Sequence, residues 1–146
     1  ASLLTECKTP PILTPHPGEM ARLEVDATTQ SVNADRIGTA RRFARERGVF
    51  VVLKGARTVI ARPDGLVAIC PTGNPGMATA GTGDILTGMI VGLLAQGVPA
   101  WEAACAATYF HGSAGDLAAQ QLGQAGMLAS DLIAQIPYAL QRTKTT

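Results

Sequence analysis

A glycine-rich stretch that leads into an apolar segment constrains this chain more than any other feature. Glycines at 81 and 83 leave no side chain over the backbone, so consecutive N–H groups can converge on an anion where a helix begins and its dipole is positive. The pattern predicts an anion hole formed by Gly81, Thr82 and Gly83, suited to a transferring phosphoryl group. The whole stretch reads Asn74-Pro75-Gly76-Met77-Ala78-Thr79-Ala80-Gly81-Thr82-Gly83-Asp84-Ile85-Leu86-Thr87-Gly88.

Asp84 stands at the end of this turn and is the candidate catalytic residue. A carboxylate there can accept a hydroxyl proton while the neighbouring amides neutralise the phosphoryl oxygens. The alternative is that Asp84 only caps the helix, a role that aspartate often takes. A Gly-x-Gly-Asp sequence alone does not decide between the two.

Composition places the chain among globular proteins. Its 146 residues are 47% hydrophobic and 16% charged, which suits one globular domain. Twelve basic and eleven acidic residues give a formal net charge of +1, so no overall excess attracts nucleic acid or anionic lipid. Any bound phosphate must therefore be held locally.

The cysteines and the apolar runs indicate a cytoplasmic protein without a membrane segment. Cys7, Cys70 and Cys105 lie far apart, are odd in number and have no spacing typical of a metal site, which favours reduced thiols. The longest apolar run, residues 85–95, is interrupted by glycines and is too short to span a bilayer. No secretory signal is visible.

The first half of the chain predicts strands and one amphipathic helix. Residues 11–14 form a strand candidate, stopped by a turn over 15–18, after which a helix can open at Glu19. Asn33 is a candidate N-cap for a helix that ends at Gly48. Its predicted apolar stripe is Ile37, Ala40, Phe43 and Ala44, and its predicted solvated face is Arg36, Arg41, Arg42 and Arg45.

The middle of the chain predicts a sheet and the second half predicts helices. Residues 49–53 are continuously apolar, which is typical of a central strand in a parallel sheet. Residues 58–61 and 66–70 flank a Pro-Asp-Gly turn and are predicted to form a hairpin. Helices are predicted over residues 84–94, 101–122 and 130–141, the last with a bend at Pro137.

Three ordered motifs together resemble a known family. Gly-x-Gly-Asp is similar to the anion-hole loop of the ribokinase-like superfamily. Thr14-Pro15-His16-Pro17-Gly18-Glu19, Leu53-Lys54-Gly55-Ala56-Arg57-Thr58 and the stretch Asn74–Gly88 resemble the NAD(P)H-hydrate dehydratase family. The resemblance implies the C-terminal half of a ribokinase-like three-layer α/β/α domain, with a mostly parallel sheet and a β-hairpin. Residues 1–146 would be a partial domain whose upstream half is missing, since residues 2–7 look like the tail of a helix.

The resemblance also implies an activity. Family members repair hydrated NADH or NADPH by dehydration driven by ADP, or by ATP in eukaryotes, and the nucleotide normally brings Mg²⁺. Asp84 matches the catalytic residue, and His16 and Asp84 match residues that contact the hydrated dinucleotide. Gly83 and the segment Lys54, Gly55, Ala56, Arg57 and Thr58 match positions that border the adenine nucleotide.

Less specific interpretations accompany these assignments. His16 is alternatively a turn histidine bonded to backbone, and Lys54-Gly55 alternatively just ends a strand. His111 is predicted to be structural, because no ligand set accompanies it.

Two further functions stay open. The chain could belong to a small-molecule kinase of the same superfamily, acting on a vitamin precursor or a sugar. It could also be a non-catalytic nucleotide-binding fragment, and the isolated chain could be inactive. We expect either a homo-oligomer or association with the missing half-domain.

Overall fold

The computed structural model describes residue 4 and residues 7–141. The helix end predicted over residues 2–7 lies largely outside the described residues. The chain divides into two compact units, residues 1–69 and residues 70–146, and each is described by itself. None of the described helices is long and apolar enough to cross a membrane.

The first unit contains four strands and three helices among its described residues. Each helix is preceded by an N-cap residue whose side chain accepts hydrogen bonds from backbone N–H groups of the first turn. The three N-cap residues are His16, Thr28 and Asp35. The elements are β1 (Ile12–Leu13), α1 (Pro17–Leu23), α2 (Thr29–Ala34), α3 (Arg36–Arg47), β2 (Phe50–Leu53), β3 (Val59–Ala61) and β4 (Val67–Ile69).

The four strands form one sheet in the order β1-β2-β3-β4. β1 runs parallel to β2, with Ile12 opposite Phe50, while the β2–β3 and β3–β4 pairs are antiparallel. The α/β class and the hairpin are therefore confirmed. The sheet is mixed where a mostly parallel one was predicted, because the connections after β2 and β3 are too short for a helical crossover.

β2 is an interior strand, as its apolar sequence predicted. Val51, Val52 and Leu53 have no exposed surface, so the faces on both sides of the strand are covered. Val51 and Leu53 pack in a core with Met20 and Phe43, which α1 and α3 contribute. This packing fixes the ends of β1 and β2, where the predicted ligand segments of the first unit begin.

The prediction for α3 was wrong at its start. Asn33 lies inside α2, because Thr28 and Ser31 form a capping box that begins a separate short helix. Asp35 caps α3 instead, through a 2.8 Å bond from the Gly38 amide to its carboxylate. Ala40, Phe43 and Ala44 are buried as predicted, but Ile37 is 39% exposed.

The second unit is helical. Its predicted helices are confirmed, each beginning one or two residues earlier than the sequence indicated. The helices α5 (Ala100–Leu122) and α6 (Ala129–Gln141) pack through small and aliphatic side chains in two clusters, one with Ala114, Leu117 and Ala139 and another with Ala118, Met127 and Leu132. The elements are a 3₁₀ helix (Pro75–Met77), α4 (Thr82–Ala95), α5 (Ala100–Leu122) and α6 (Ala129–Gln141).

Candidate active site

The turn before α4 depends on a glycine. Gly81 is the N-cap residue and has φ +90° and ψ −19°, a conformation that costs an L side chain energy. A Cβ atom at this position would also approach the Cβ of Ala129 to 3.2 Å. A side chain at residue 81 is therefore opposed both by the backbone conformation and by the neighbouring helix.

The amides of the turn are partly used within the helix start. The Asp84 amide donates to Gly81 O at 3.1 Å, and the Thr82 amide makes a long bond of 3.4 Å to Thr79 O. The Gly83 amide donates to no described residue. Gly83 thus offers an unpaired N–H at the positive end of a 14-residue helix.

The Asp84 side chain is exposed and takes part in no hydrogen bond or ion pair with any described residue. The interpretation that Asp84 only caps the helix was wrong, since Gly81 occupies the N-cap and α4 has no side-chain cap. The carboxylate stands in the first helical turn, next to the Gly83 amide. It is free to accept a proton from a bound hydroxyl group.

His111 supports this turn from α5. The ring is 8% exposed, and its Nε2 lies 3.0 Å from Thr82 O. A carbonyl oxygen can only accept, so Nε2 carries the proton. Burial lowers the pKa of His111 and outweighs the Thr82 hydrogen bond, which raises it. The prediction of a structural histidine is confirmed, because the ring contacts the backbone of the turn before α4.

Asp116 fixes the other end of the loop and was missed in the sequence. Its two carboxylate oxygens accept from the Gly73 amide and from Asn74 Nδ2, each at 2.9 Å. Asn74 in turn accepts from the Gly76 amide at 3.0 Å. The available signal was an acidic residue within the alanine- and glycine-rich second half of α5, a position that usually has a partner when it is half buried.

Thr82 ties the middle of the loop together. Its side chain is 5% exposed, and its hydroxyl lies within hydrogen-bond reach of Thr79 O and 2.8 Å from Met77 O. The loop is therefore held at both ends and at its centre by side chains of the same unit. Its role as part of an anion hole stays a prediction.

In the first unit, the predicted ligand residues lie at the carboxyl ends of β1 and β2. The Lys54 amide donates to Pro15 O at 2.8 Å, so the segments after the two parallel strands are directly bonded. This is the edge of an α/β sheet where ligands commonly bind. A groove of about 380 Å³ opens here, and it is lined by Leu13, Thr14, Pro15, Glu19, Arg22 and Leu23.

His16 bonds to backbone, as the alternative interpretation stated. Its Nδ1 accepts from the Gly18 amide at 3.0 Å and from the Glu19 amide at 3.2 Å, and Glu19 accepts from the His16 amide at 2.7 Å. This reciprocal pair caps α1. Because Nδ1 is an acceptor, the neutral ring carries its proton on Nε2, and the exposed side chain can donate from there. Contact with a dinucleotide stays a prediction.

Glu19 links His16 to Lys54. Its carboxylate lies 3.6 Å from His16 Nε2 and 3.7 Å from Lys54 Nζ. The hydrogen bond from the His16 amide, followed by the Lys54 charge, holds the pKa of Glu19 below its ordinary value. Lys54 therefore has a carboxylate partner close to the predicted nucleotide segment.

The Lys54–Thr58 loop is shaped by Arg36, which the sequence analysis had placed in a solvated face. Arg36 is half buried and donates to Leu53 O at 2.9 Å and to Ala56 O. Burial lowers the pKa of Arg36, although a guanidinium keeps its charge. Thr58 Oγ1 also donates to Gly55 O at 3.2 Å. The earlier interpretation of Arg36 was wrong because its partners are 17 and 20 residues away in the sequence.

Comparison of solved structures defines the class of protein. A ribokinase-like superfamily protein from Enterococcus faecalis gives a TM-score of 0.59 at 30% identity, over 89% of this chain and 44% of its own. An ADP/ATP-dependent NAD(P)H-hydrate dehydratase from Bacillus subtilis, co-crystallized with ATP/Mg²⁺, gives 0.87 at 38% identity, over 91% of this chain and 48% of its own. The chain has the ribokinase-like fold.

Sequence comparison then gives the family. A family model described as NAD(P)H-hydrate dehydratase matches residues 2–138, so the chain belongs to the NAD(P)H-hydrate dehydratase family. A bifunctional NAD(P)H-hydrate repair enzyme from Moorella thermoacetica is 55% identical over 95% of this chain and 26% of its own length. An ADP-dependent (S)-NAD(P)H-hydrate dehydratase from Neisseria meningitidis is 48% identical over 83% of this chain and 41% of its own length. The chain thus spans less than half of these curated relatives.

Proposed function

We propose that this chain is part of an ADP-dependent (S)-NAD(P)H-hydrate dehydratase, with ATP as the alternative nucleotide. Family membership supports the reaction class. The single observation that carries the proposal is the pairing of an unbonded Asp84 carboxylate with an unbonded Gly83 amide in one helical turn. A base is then adjacent to an N–H group that can donate a hydrogen bond to an anionic phosphoryl oxygen. Phosphoryl transfer to a hydroxyl requires both groups.

In the proposed reaction, the hydroxyl oxygen of the hydrated nicotinamide ring attacks the terminal phosphorus of ADP. Asp84 accepts the proton of that hydroxyl during the attack. AMP leaves, and the Gly83 amide stabilises charge on the transferring group. The ring C–O bond then breaks with the help of the ring nitrogen, and phosphate leaves. Loss of a proton from the adjacent ring carbon restores the double bond. Phosphorylation thus turns hydroxide into a better leaving group.

Magnesium would enter this site with the nucleotide. Residue 4 and residues 7–141 contain no cluster of three or more His, Cys, Asp or Glu side chains that could hold a metal ion. Mg²⁺ commonly binds through substrate phosphates with only one or two protein carboxylates. An Mg²⁺ ion carried on the nucleotide phosphates would neutralise their charge.

The first unit would supply the binding contacts. His16 Nε2 would donate to the hydrated dinucleotide, and Lys54 to Thr58 would border the adenine nucleotide. The capping of α1 by Nδ1 supports this orientation of the His16 ring. We place the protein in the cytoplasm, in keeping with Cys70 and Cys105, neither of which is in a disulfide. Burial raises the pKa of Cys105 to about 11.

The relatives are longer than this chain, and we propose that residues equivalent to their unmatched portion complete a domain of which residues 1–146 are part. That partner would be the missing half-domain, with self-association of the completed protein as a further possibility. The test uses the chain alone and the chain joined to the rest of its reading frame. Each is incubated with hydrated NADH and ADP, and recovery of NADH absorbance is followed.

Recovery of NADH with equimolar AMP and phosphate supports the dehydratase. Phosphorylation of a vitamin alcohol without NADH recovery would instead favour the small-molecule kinase. ADP binding by calorimetry with no turnover in either form would favour a non-catalytic nucleotide-binding protein. Turnover only in the joined form would assign catalysis to the completed domain.

A further inference from the structure

Arg36 occupies a position that does not favour a cation. It is the first residue of α3, where the helix dipole is positive and an acidic residue would be stabilising. Its side chain reaches the loop after β2, where the guanidinium donates to Leu53 O and Ala56 O. The reason for an arginine at this position therefore lies in the loop rather than in the helix.

A side chain at Gly55 would crowd the Arg36 guanidinium. A Cβ atom there would lie 3.0 Å from Arg36 Nη2, and Gly55 has φ +139°. Two carbonyl oxygens three residues apart are held by one rigid, planar group. A lysine has a single ammonium on a flexible stem and does not reproduce that geometry.

The carbonyl contacts determine where the loop amides point. In a trans peptide the C=O and the following N–H lie on opposite sides. Ala56 O faces Arg36, so the Arg57 amide points away from it; Gly55 O faces Thr58, so the Ala56 amide points away from that side chain. Neither amide donates to a described residue. Arg57 also has φ +54°, which belongs to the left-handed region.

We propose that Arg36 is a positioning residue that orients the Ala56 and Arg57 amides as donors to an adenine nucleotide. Successive outward N–H groups beside a left-handed residue form a concave donor site for phosphate oxygens or ring nitrogens. Lys54 adds a positive charge to the same loop. Arg36 itself faces the inside of the loop and acts through the backbone. The inference rests on the proposed function, and it adds a residue that determines nucleotide affinity.

The test introduces Arg36→Ala, Arg36→Lys and Arg41→Ala singly into the full chain. Calorimetry then measures the ADP affinity of each protein. Arg41 is exposed, lies in the same helix and has no hydrogen bond or ion pair with a described residue, so it controls for loss of one positive charge. We expect Arg36→Ala to raise the Kd for ADP about tenfold, because two charged hydrogen bonds that fix the loop are lost. Arg41→Ala should change Kd by less than about twofold.

Two further readouts separate positioning from general stability. Circular dichroism and Tm report whether each variant is folded, and the amide signals of Ala56 and Arg57 report the loop by NMR. These two signals should shift on ADP addition in the unsubstituted protein and broaden in Arg36→Ala without ligand. If Arg36→Ala fails to fold, the Arg36→Lys protein tests the proposal instead. Its Kd for ADP should rise at least threefold, because the ammonium cannot hold both carbonyls in one plane.

Equal Kd values for the Arg36→Ala and Arg41→Ala proteins would overturn the proposal, as would an unchanged Kd in Arg36→Lys. A lower Tm with an unchanged Kd in the folded protein would mean that Arg36 is merely structural. Failure of the unsubstituted chain to bind ADP, alone and when joined to the rest of its reading frame, would reject the proposed nucleotide function itself. The two failures are distinguishable because only the second is visible without any substitution.

Discussion

The two units build their candidate ligand segments with different electrostatics. Ten of the twelve lysine and arginine residues precede Cys70, and none lies between Cys70 and Gln141. The Lys54–Thr58 loop is held by the guanidinium of Arg36, whereas the loop that leads to Asp84 is held by the neutral ring of His111 and by Asp116. Within residues 70–141, an anion finds positive charge in backbone amides and a helix dipole rather than in side chains.

This difference separates what a substitution does in each unit. In the first unit, removing a side chain changes charge and loop shape together, so a charge control is needed. In the second unit, the supporting side chains are an imidazole and a carboxylate, so their loss removes no positive charge. Substitutions can therefore test the two modes independently.

The largest expected effect concerns Asp84. In the completed protein proposed above, Asp84→Asn should lower turnover at least about 100-fold, because the amide cannot accept a proton as a base. The Kd for ADP should stay within about twofold, since the backbone donors remain. NADH recovery and calorimetry on the same samples check both. Glu102→Gln, an exposed change in α5, serves as the control, and a parallel loss of ADP affinity would contradict the role given to Asp84.

The next largest effect concerns the support of the glycine loop. Asp116→Ala should lower the free energy of unfolding by about 2 kcal/mol, because the Gly73 amide and the Asn74 side chain lose their acceptor. Urea denaturation monitored by circular dichroism measures the change, with Glu102→Gln again as the matched control. Equal stability of the two variants would show that Asp116 does not hold this loop.

A smaller effect distinguishes the two roles of His16. His16→Ala should cost about 1 kcal/mol through loss of the N-cap of α1. His16→Asn should keep most of that stability, because asparagine is a good N-cap, yet it removes the Nε2–H donor. Affinity for the hydrated dinucleotide, measured in the completed protein, should fall in both variants. Retained affinity in His16→Asn would leave His16 with a structural role alone.

The smallest effect is a pH dependence in the second unit. The pKa of His111 is lowered by burial, so the unfolded chain binds a proton first and stability falls as the pH drops below the ordinary value of 6.5. His111→Gln should flatten this slope relative to the unsubstituted chain, while an amide N–H can still reach Thr82 O. Urea denaturation at several pH values checks it. An identical slope for the unsubstituted and His111→Gln proteins between pH 7 and 5 would contradict the assignment.

The lowered pKa of Glu19 acts over a separate pH range, because its stabilisation is lost only as the pH falls below 4.5.

Local sequence signals predicted the elements whose causes are local. The Pro-Asp-Gly turn gave the hairpin, the apolar run gave the interior strand β2, and the glycines gave the turn before α4. Each depends on neighbours within a few residues, which a single sequence displays directly. Even here the start of α3 was misplaced, because two competing caps, Asn33 and Asp35, stand two residues apart.

The supports of the site were not predictable in the same way. Arg36, His111 and Asp116 each contact backbone atoms between 17 and 43 residues away. A long cation on an amphipathic helix is normally solvated, so the pattern favoured the wrong interpretation of Arg36. Only tertiary packing brings such a side chain to a carbonyl, and no periodicity encodes that pairing.

The most direct test of the central claim follows the Gly83 amide by NMR while ADP is added to the completed protein. If the turn before α4 receives the transferring phosphoryl group, the Gly83 signal should move in a saturable manner with the Kd found by calorimetry. The NMR signal of the Asp131 amide, which is bonded to Leu128 O at the start of α6, should not shift. A Gly83 signal that stays fixed while ADP binds elsewhere would contradict the account.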